Sequence, residues 1–207
     1  MNIPQVVVFD LGKVLVDFDY SIGARRLATK SAIPSAELQD LIDHSPLLFR
    51  LETGQISPTE FFEAVKGLTG YRGGFDEFAQ LFADIFSPIP EMVRLHETLC
   101  AQGVPTYIFS NTNIFAARHI RKSFPFFSRF TDYILSYEHG SMKPDSKLYE
   151  ILEDKSGRRG AEILYLDDRA ENVAAGAQRG WQVILQESPA KTIAAVAQLG
   201  LLSRPPG

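Results

Sequence analysis

The chain has 207 residues, of which 45% are hydrophobic and 22% charged, and its formal net charge at pH 7 is −4. This composition is typical of a folded globular protein with one core and a small accessory domain, and the acidic balance, without a block of Lys or Arg, argues against nucleic acid as a partner. No apolar run approaches transmembrane length, no signal peptide precedes Asp10, and the single cysteine, Cys100, excludes a disulfide framework, so we expect a cytoplasmic protein without membrane contact.

Short apolar runs predict the strands of a parallel sheet that is buried on both faces. They cover residues 6–9, 106–109, 133–135, 163–166 and 182–185. Helical patterns lie between them, over residues 91–102, 145–157, 170–179 and 191–199. This alternation of strands and helices predicts an α/β fold with a doubly wound parallel sheet.

The segment between the first two predicted strands has a different pattern. Residues 20–88 contain no strand-like run and predict only helices, over residues 22–30, 35–43, 58–68 and 75–86. We therefore expect a small helical cap over residues 17–88, inserted into an α/β domain formed by residues 1–16 and 89–203. Residues 204–207, with two prolines, are expected to form a disordered tail.

Polar residues follow the predicted strands at their carboxyl ends, the edge where open parallel sheets bind ligands. They are Asp10, Ser110 with Asn111, and Asp167 with Asp168, and Lys143 lies in a nearby loop. Each residue alone is ordinary in a turn, a helix cap or a solvated surface. Three carboxylates together repel each other unless a cation lies among them, which favours a site for Mg²⁺. The Lys143 ammonium group would neutralise further negative charge.

Four segments, in order, resemble the motifs of the haloacid dehalogenase superfamily. They are VVVFDLGKVLVDFD, IFSNTN, the lysine of SMKPDSKLYE, and ILYLDDRAENVAAGAQRGW. The helical segment after the first motif resembles the cap of this superfamily. The resemblance implies a Rossmann-like core and a Mg²⁺-dependent phosphatase that acts on a small phosphorylated metabolite.

The resemblance implies a role for each residue around the phosphoryl group. Asp10 would be the nucleophile that becomes an aspartyl-phosphate. Ser110 and the backbone of Asn111 would bind the transferring oxygens, beside Gly12. Lys143 would bridge the nucleophile and the phosphate.

The resemblance also implies a set of metal ligands. Asp10, Asp168 and the backbone carbonyl of Gly12 would bind Mg²⁺, and Asp167 would support the metal shell, directly or through water. Asn172 lies one helical turn past Asp168 and would orient Lys143 or the acidic pair.

One position departs from the pattern of the superfamily. Gly12 stands where most of its phosphatases carry a second Asp that acts as general acid and base, a contribution of roughly 10²–10⁴-fold. Asp17 or Asp19 could supply the proton instead, or the substrate could have a good leaving group. An anomeric sugar phosphate meets the second condition. The motifs are also similar to those of the superfamily's bacterial α-D-glucose-1-phosphate phosphatases, which favours a hexose 1-phosphate as substrate.

Two other functions stay open at this point. A 2-haloacid dehalogenase would use the same Asp nucleophile without a metal, although an anionic substrate would be repelled by Asp167 and Asp168. A weak or inactive binding module is the second, because of Gly12. The cap is expected to set specificity, with Arg25, Arg50 and Glu52 as candidate contacts; the last two are predicted in a turn before Gly54. Both a monomer and a homodimer are compatible with the sequence.

Overall fold

The computed structural model describes residues 2–202, apart from the side chains of Asp43 and His44. The predicted tail, residues 204–207, lies outside the described residues. Within them, a five-stranded parallel sheet has the order β5-β4-β1-β6-β7. Its strands are β1 (Val6–Phe9), β4 (Thr106–Ser110), β5 (Asp132–Leu135), β6 (Ile163–Asp167) and β7 (Gln182–Leu185). The predicted doubly wound α/β fold is confirmed, and each predicted strand matches an observed one to within one residue at either end.

The central strand β1 shows why the strands of this sheet are continuous apolar runs in the sequence. All four of its residues are buried, and its side chains alternate between two apolar clusters. Val7 and Phe9 pack against helices α6 (Pro90–Ala101), α7 (Ile114–Ser123) and α11 (Pro189–Gln198) on one face. Val6 and Val8 pack against α9 (Ser146–Ser156) and its surroundings on the other face. Because helices cover both faces of the sheet at β1, the side chains on both faces of this strand are apolar.

The strand order places a topological switch point beside β1. β4 and β5 lie on one side of β1, and β6 and β7 lie on the other. Phe9 is in register with Ile108 of β4 and with Leu166 of β6. The residues that follow Phe9, Ile108 and Leu166 therefore meet at one edge of the sheet, where open α/β sheets bind their ligands.

The segment between β1 and α6 contains a second group of helices. They are α1 (Tyr20–Ala28), α2 (Ser35–His44), α3 (Pro46–Glu52), α4 (Pro58–Thr69) and α5 (Phe75–Ala83). They share an apolar cluster of their own, rich in phenylalanine, into which Phe115 of α7 also inserts. Phe115 thus joins this helical layer to the sheet layer.

The expectation that residues 20–88 contain no strand is wrong. β2 (Val16–Phe18) and β3 (Phe86–Pro88) pair as an antiparallel ribbon at the two ends of the helical segment, and α5 ends at Ala83, short of Phe86. Three residues that include a proline carry no periodic signal. The ribbon forms because two distant chain segments meet, with the Phe18 and Phe86 ring centroids 6.0 Å apart.

The predicted turn before Gly54 is also wrong, because residues 46–52 form helix α3. Ser45 caps this helix by accepting a hydrogen bond from the Leu47 N–H, and Pro46 occupies its first position. A Ser-Pro pair is typical of the start of a helix, so the sequence contained a signal for α3 that the predicted turn overlooked. No helix within the described range 2–202 is long and apolar enough to cross a membrane.

Candidate active site

A cavity of about 460 Å³ lies between the carboxyl edge of the sheet and the helical layer. The sheet side contributes Asp10, Ser110, Asn111, Lys143 and Asp168 to its wall. The opposite side contributes Phe18, Tyr20, Leu48, Glu52 and Phe86. The two walls differ in character, since the sheet side is charged and the opposite side is mainly apolar with one carboxyl group.

Lys143 joins two of the carboxylates at the sheet edge. Its Nζ lies 3.0 Å from Asp10 Oδ1 and 2.6 Å from Asp167 Oδ2, and it donates a hydrogen bond of 2.8 Å to the Phe109 carbonyl oxygen. The side chain is 1% exposed, and its Nζ lies over the rings of Phe109 and Tyr165, 5.1 and 5.6 Å from their centroids. An ammonium group so deeply buried is tolerated only when its charge is paired.

The ion pairs set the protonation of this group of residues. Burial raises the pKa of Asp10 to about 7, against the opposing effect of Lys143 and with a further increase from Asp167. Burial also acts to raise the pKa of Asp167, but Lys143 and the hydrogen bonds from Tyr165 and the Arg169 N–H hold it below its ordinary value. The two carboxylates in turn raise the pKa of Lys143 despite its burial. The lysine is therefore a permanent cation.

Three carboxylates meet around this lysine. Asp10, Asp167 and Asp168 each place an oxygen within 4.8 Å of the others. Burial and the neighbouring Asp167 raise the pKa of Asp168, against smaller opposing effects of Lys143 and Arg169. Three carboxylates against one ammonium group leave an excess of negative charge, in the oxygen-rich surroundings that a hard divalent cation prefers. The residues present therefore fit Mg²⁺.

The two neighbouring aspartates occupy different environments. Asp167 is fully buried and accepts hydrogen bonds from Lys143, Tyr165 and the backbone N–H of Arg169. The Asn172 Nδ2 lies 3.1 and 3.2 Å from its two oxygens, so Asn172 orients Asp167. Asp168 instead lines the cavity. Of the pair, Asp168 thus has the carboxylate that a ligand in the cavity can reach.

The Asn111 side chain has contacts that the sequence did not predict. Its Nδ2 donates a hydrogen bond of 2.9 Å to the Lys143 carbonyl oxygen, and its Oδ1 accepts one of 2.7 Å from the Lys143 N–H. The resemblance implied a role only for the Asn111 backbone. The side chain fixes the loop that delivers Lys143, a role invisible in the sequence because the partners are 32 residues apart.

The family of the chain follows from this geometry and from comparison with known proteins. A family model described as haloacid dehalogenase-like hydrolase matches residues 4–180, most of the chain. This chain belongs to that family. Within this hydrolase, the matched segment carries Asp10, Ser110, Lys143 and Asp168, which the fold brings to one cavity.

Two curated relatives of this hydrolase are named as phosphatases. A D-ribitol-5-phosphate phosphatase from Bacteroides thetaiotaomicron is 25% identical over 193 residues, which cover 89% of this chain and 92% of the relative. A sesquiterpene phosphatase from Aspergillus oryzae is 26% identical over 176 residues, covering 83% of this chain and 84% of the relative. The similarity in each case extends across the helical segment and the sheet.

Solved structures give the same fold. A haloacid dehalogenase family enzyme from B. thetaiotaomicron, in complex with magnesium and inorganic phosphate, has a TM-score of 0.77 at 18% identity, over 88% of this chain and 93% of that one. An L-2-haloacid dehalogenase from Xanthobacter autotrophicus has a TM-score of 0.63 at 18% identity, over 98% of this chain and 90% of that one. At these identities the likeness establishes the architecture.

The Phe18 ring lies beside Gly12, the position at which this hydrolase departs from the pattern of its superfamily. A Cβ atom at Gly12 would lie 2.8 Å from the Phe18 ring, so the ring fills the place of a longer side chain. Neither Asp17 nor Asp19 is among the described residues that line the cavity. Asp17 is exposed and pairs with Lys13, and Asp19 caps α1 by accepting a 2.8 Å hydrogen bond from the Ser21 N–H. Their positions do not support either as the proton donor.

The three predicted cap contacts have different outcomes. Arg25 donates a hydrogen bond of 2.8 Å to Ser21 Oγ on the exposed side of α1, and Arg50 is exposed on α3. Neither is among the described residues that line the cavity, so the structure does not place them as substrate contacts. A helix advances 100° per residue, which points Arg50 away from the face that carries Glu52. Glu52 does line the cavity.

Glu52 is half-buried, and it has no ion-pair partner among the residues that the structure describes. Burial raises its pKa to about 7, and a side-chain hydrogen bond from Asn113 acts in the opposite direction. Asn113 and Thr112 follow the second motif directly and line the same cavity. Neither residue was predicted as part of the site, although their position directly after Ser110 and Asn111 was a usable signal.

Proposed function

We propose that this hydrolase is a Mg²⁺-dependent phosphomonoesterase that acts on a small phosphorylated metabolite through an aspartyl-phosphate on Asp10. The observation that carries the proposal is the buried Lys143 ammonium group, 3.0 Å from Asp10 and 2.6 Å from Asp167, beside the cavity-lining Asp168. This combination of fixed positive charge and excess carboxylate suits a phosphoryl group that arrives with a divalent cation.

Each residue at the sheet edge has a chemical task in this reaction. An Asp10 oxygen attacks phosphorus, which divides one hard hydrolysis into two displacements. Lys143 neutralises charge on the nucleophile and on the equatorial oxygens of the phosphoryl group. The Ser110 hydroxyl and the Asn111 N–H bind those oxygens, beside Gly12. Phe18, Leu48 and Phe86 exclude water from the opposite wall.

Residues present at the site would hold the metal. Asp10, Asp168 and the Gly12 carbonyl oxygen would be its protein ligands, with Asp167 in support. When bound, Mg²⁺ would neutralise the charge of the phosphoryl oxygens. Asn172 fixes the orientation of Asp167 through its two hydrogen bonds.

The comparisons favour a phosphatase over a dehalogenase. Both curated relatives described above are named as phosphatases, and one structural neighbour is a complex with magnesium and inorganic phosphate. The dehalogenase neighbours share the fold at 17–19% identity. A haloacid would meet the negative charge of Asp168. An inactive module would have no need for a buried Lys143 paired with Asp10 and Asp167.

The shape of the site supports a sugar phosphate, with a hexose 1-phosphate as the first candidate. The cavity combines hydroxyl-binding groups (Tyr20, Glu52, Thr112 and Asn113) with the aromatic rings of Phe18 and Phe86. Such a mixture suits a compact polyhydroxylated molecule. The relative that acts on D-ribitol 5-phosphate supports the same substrate class.

The test is hydrolysis of a panel of phosphomonoesters by purified protein, with Mg²⁺ and with EDTA. The panel includes hexose 1-phosphates, hexose 6-phosphates, D-ribitol 5-phosphate and 4-nitrophenyl phosphate. Phosphate release should require Mg²⁺ and Asp10, and should survive Asp76→Asn, the same substitution at an exposed position of α5. Equal rates for the wild type and Asp10→Asn would refute the proposed function. A rate on every sugar phosphate below that on 4-nitrophenyl phosphate would refute the substrate class.

A further inference from the structure

Glu52 carries a carboxyl group on the wall that the helical segment contributes to the cavity. It is the last residue of α3, whereas Asp10 follows β1 at the sheet edge. Among the described residues that line the cavity, the carboxyl groups are those of Asp10, Asp168 and Glu52. The first has the role of nucleophile and the second that of metal ligand, which leaves Glu52 without a task in the chemical steps.

Backbone contacts hold Glu52 in place. Gly54, two residues on, has φ +65°, and a Cβ atom there would lie 2.3 Å from the Tyr137 carbonyl oxygen of α8 (Ser136–His139). The chain after α3 therefore rests directly on the sheet domain. Thr53, which lies between Glu52 and Gly54, is buried, and its hydroxyl group donates a hydrogen bond of 2.8 Å to the Phe49 carbonyl oxygen. Glu52 thus has a fixed position relative to the sheet edge.

Asn113 lies beside the Glu52 carboxyl group and belongs to the segment after the second motif. Its Oδ1 accepts a 3.1 Å hydrogen bond from the Ala116 N–H and so caps α7, and its side chain acts to lower the pKa of Glu52. Asn113 is buried and follows Ser110 by three residues. The carboxyl group therefore lies close to the segment that carries Ser110.

The place where a general acid is needed lies on the Glu52 side of the cavity. In an in-line displacement the leaving oxygen departs opposite the attacking one, and hence away from Asp10 and toward the facing wall. Gly12 cannot serve because it has no side chain, and the Phe18 ring occupies the space beside it. Asp17 and Asp19 do not line the cavity.

The surroundings of Glu52 favour easy proton exchange. Burial raises its pKa to about 7, so both protonation states are populated near neutrality, as a group that acts first as acid and then as base requires. The cations on the cavity wall have other partners: Lys13 pairs with Asp17, Arg169 with Glu171, and Lys143 with Asp10 and Asp167. The other titratable or charged groups of the wall and of the adjoining α3 and α8 are Tyr20, Asp168, Arg50, Tyr137, Glu138 and His139.

We propose that Glu52 is the general acid and base of the reaction and replaces the carboxylate missing at position 12; this inference rests on the proposed function. In the first step the Asp10 oxygen forms a bond to phosphorus as the bond from phosphorus to the leaving oxygen breaks. The leaving oxygen keeps the electron pair and takes the proton of Glu52. In the second step the Glu52 carboxylate takes a proton from water, whose oxygen bonds to phosphorus as the Asp10–phosphorus bond breaks. Inorganic phosphate leaves, and Asp10 and protonated Glu52 are restored.

The test compares Glu52→Gln with the wild type on esters of graded leaving-group acidity. The probes are 4-nitrophenyl phosphate, phenyl phosphate and glycerol 3-phosphate, all with Mg²⁺. For the variant, kcat/KM should fall roughly 10²–10⁴-fold on the alkyl ester but less than about 10-fold on the nitrophenyl ester, whose leaving group needs no proton. The matched control is Glu63→Gln, at an exposed position of α4, which should match the wild type.

The pH profile gives a second readout. The wild-type kcat/KM on glycerol 3-phosphate should decrease as pH rises through about 7, where Glu52 loses its proton, and Glu52→Gln should lack this limb. A uniform loss on all three esters, a change in KM alone, or an unchanged basic limb would each overturn the assignment. If the wild type hydrolyses none of the esters, the proposed function fails instead, so the two failures are distinguishable.

Discussion

The Asn111 side chain forms hydrogen bonds with both backbone polar groups of Lys143. It donates to the Lys143 carbonyl oxygen at 2.9 Å and accepts from the Lys143 N–H at 2.7 Å. The lysine ammonium group at the other end reaches Asp10 and Asp167. A residue beside the phosphoryl pocket therefore positions the cation that the pocket requires.

Asn111→Ala should leave the two backbone groups of Lys143 without these partners. The loss of hydrogen bonds at a buried site costs about 1–3 kcal/mol, so we expect kcat/KM to fall roughly 10–100-fold through displacement of Lys143. Steady-state kinetics on the best substrate of the panel measures the effect, with thermal unfolding to verify the fold. Wild-type kcat/KM in a folded variant would contradict the positioning role.

Gly12 and Phe18 should be energetically coupled. A Cβ at position 12 would lie 2.8 Å from the Phe18 ring, so Gly12→Ala should destabilise the protein by about 1–3 kcal/mol. The same substitution in a Phe18→Ala background should cost less, with a coupling energy of about 0.5–3 kcal/mol. Denaturant unfolding of the four proteins in this double-mutant cycle provides the measurement. Additive effects would show that the ring does not restrict position 12.

Gly54 and Gly157 offer a matched pair for the contact between α3 and α8. Both have positive φ, +65° and +63°, but a Cβ at Gly54 would lie 2.3 Å from the Tyr137 carbonyl oxygen, whereas one at Gly157 would meet nothing within 4 Å. Gly157→Ala should cost about 1–2 kcal/mol of backbone strain. Gly54→Ala should cost more and also lower kcat/KM, since it displaces Glu52. Equal losses of stability in the two variants, by thermal unfolding, would argue against the close contact.

His96 should make the protein less stable in mild acid. Its ring is fully buried, stacks on Phe130 at 3.8 Å, and lies 3.1 Å from Thr106 Oγ1; burial, with a smaller effect of Arg129, lowers its pKa from 6.5 to about 4. Between these values the unfolded chain binds a proton that the folded protein does not. The free energy of unfolding should therefore fall as pH decreases from 6.5 to 4, by at most about 1.4 kcal/mol per pH unit.

The variant His96→Gln isolates this effect from the other titrating groups. The difference in unfolding free energy between the wild type and His96→Gln should be largest near pH 7 and should shrink toward pH 4. Urea unfolding at a series of pH values measures it. Parallel stability curves for the two proteins would show that His96 does not carry the proton linkage.

The sequence by itself determined the sheet and the residues at its edge. Parallel strands covered on both faces must be apolar throughout, so they stand out as runs, and the chain direction alone puts Asp10, Ser110 and Asp167 at their carboxyl ends. To bring these three residues together, the sheet needed only to place β4 and β6 on either side of β1. These features are local or repeat with a fixed period, so they can be predicted from the sequence without a structure.

Tertiary structure decided what surrounds Asp10. The amide of Asn111 that binds Lys143 and the ribbon of β2 and β3, which carries the Phe18 ring beside Gly12, depend on segments far apart in the chain. Such contacts leave no periodic trace in the sequence. Arg25, Arg50 and Glu52 looked equivalent in sequence, yet only Glu52 faces the cavity, because the direction of a side chain depends on how its helix packs. Contact between distant segments, and the burial it produces, gave that carboxyl group its place and its raised pKa.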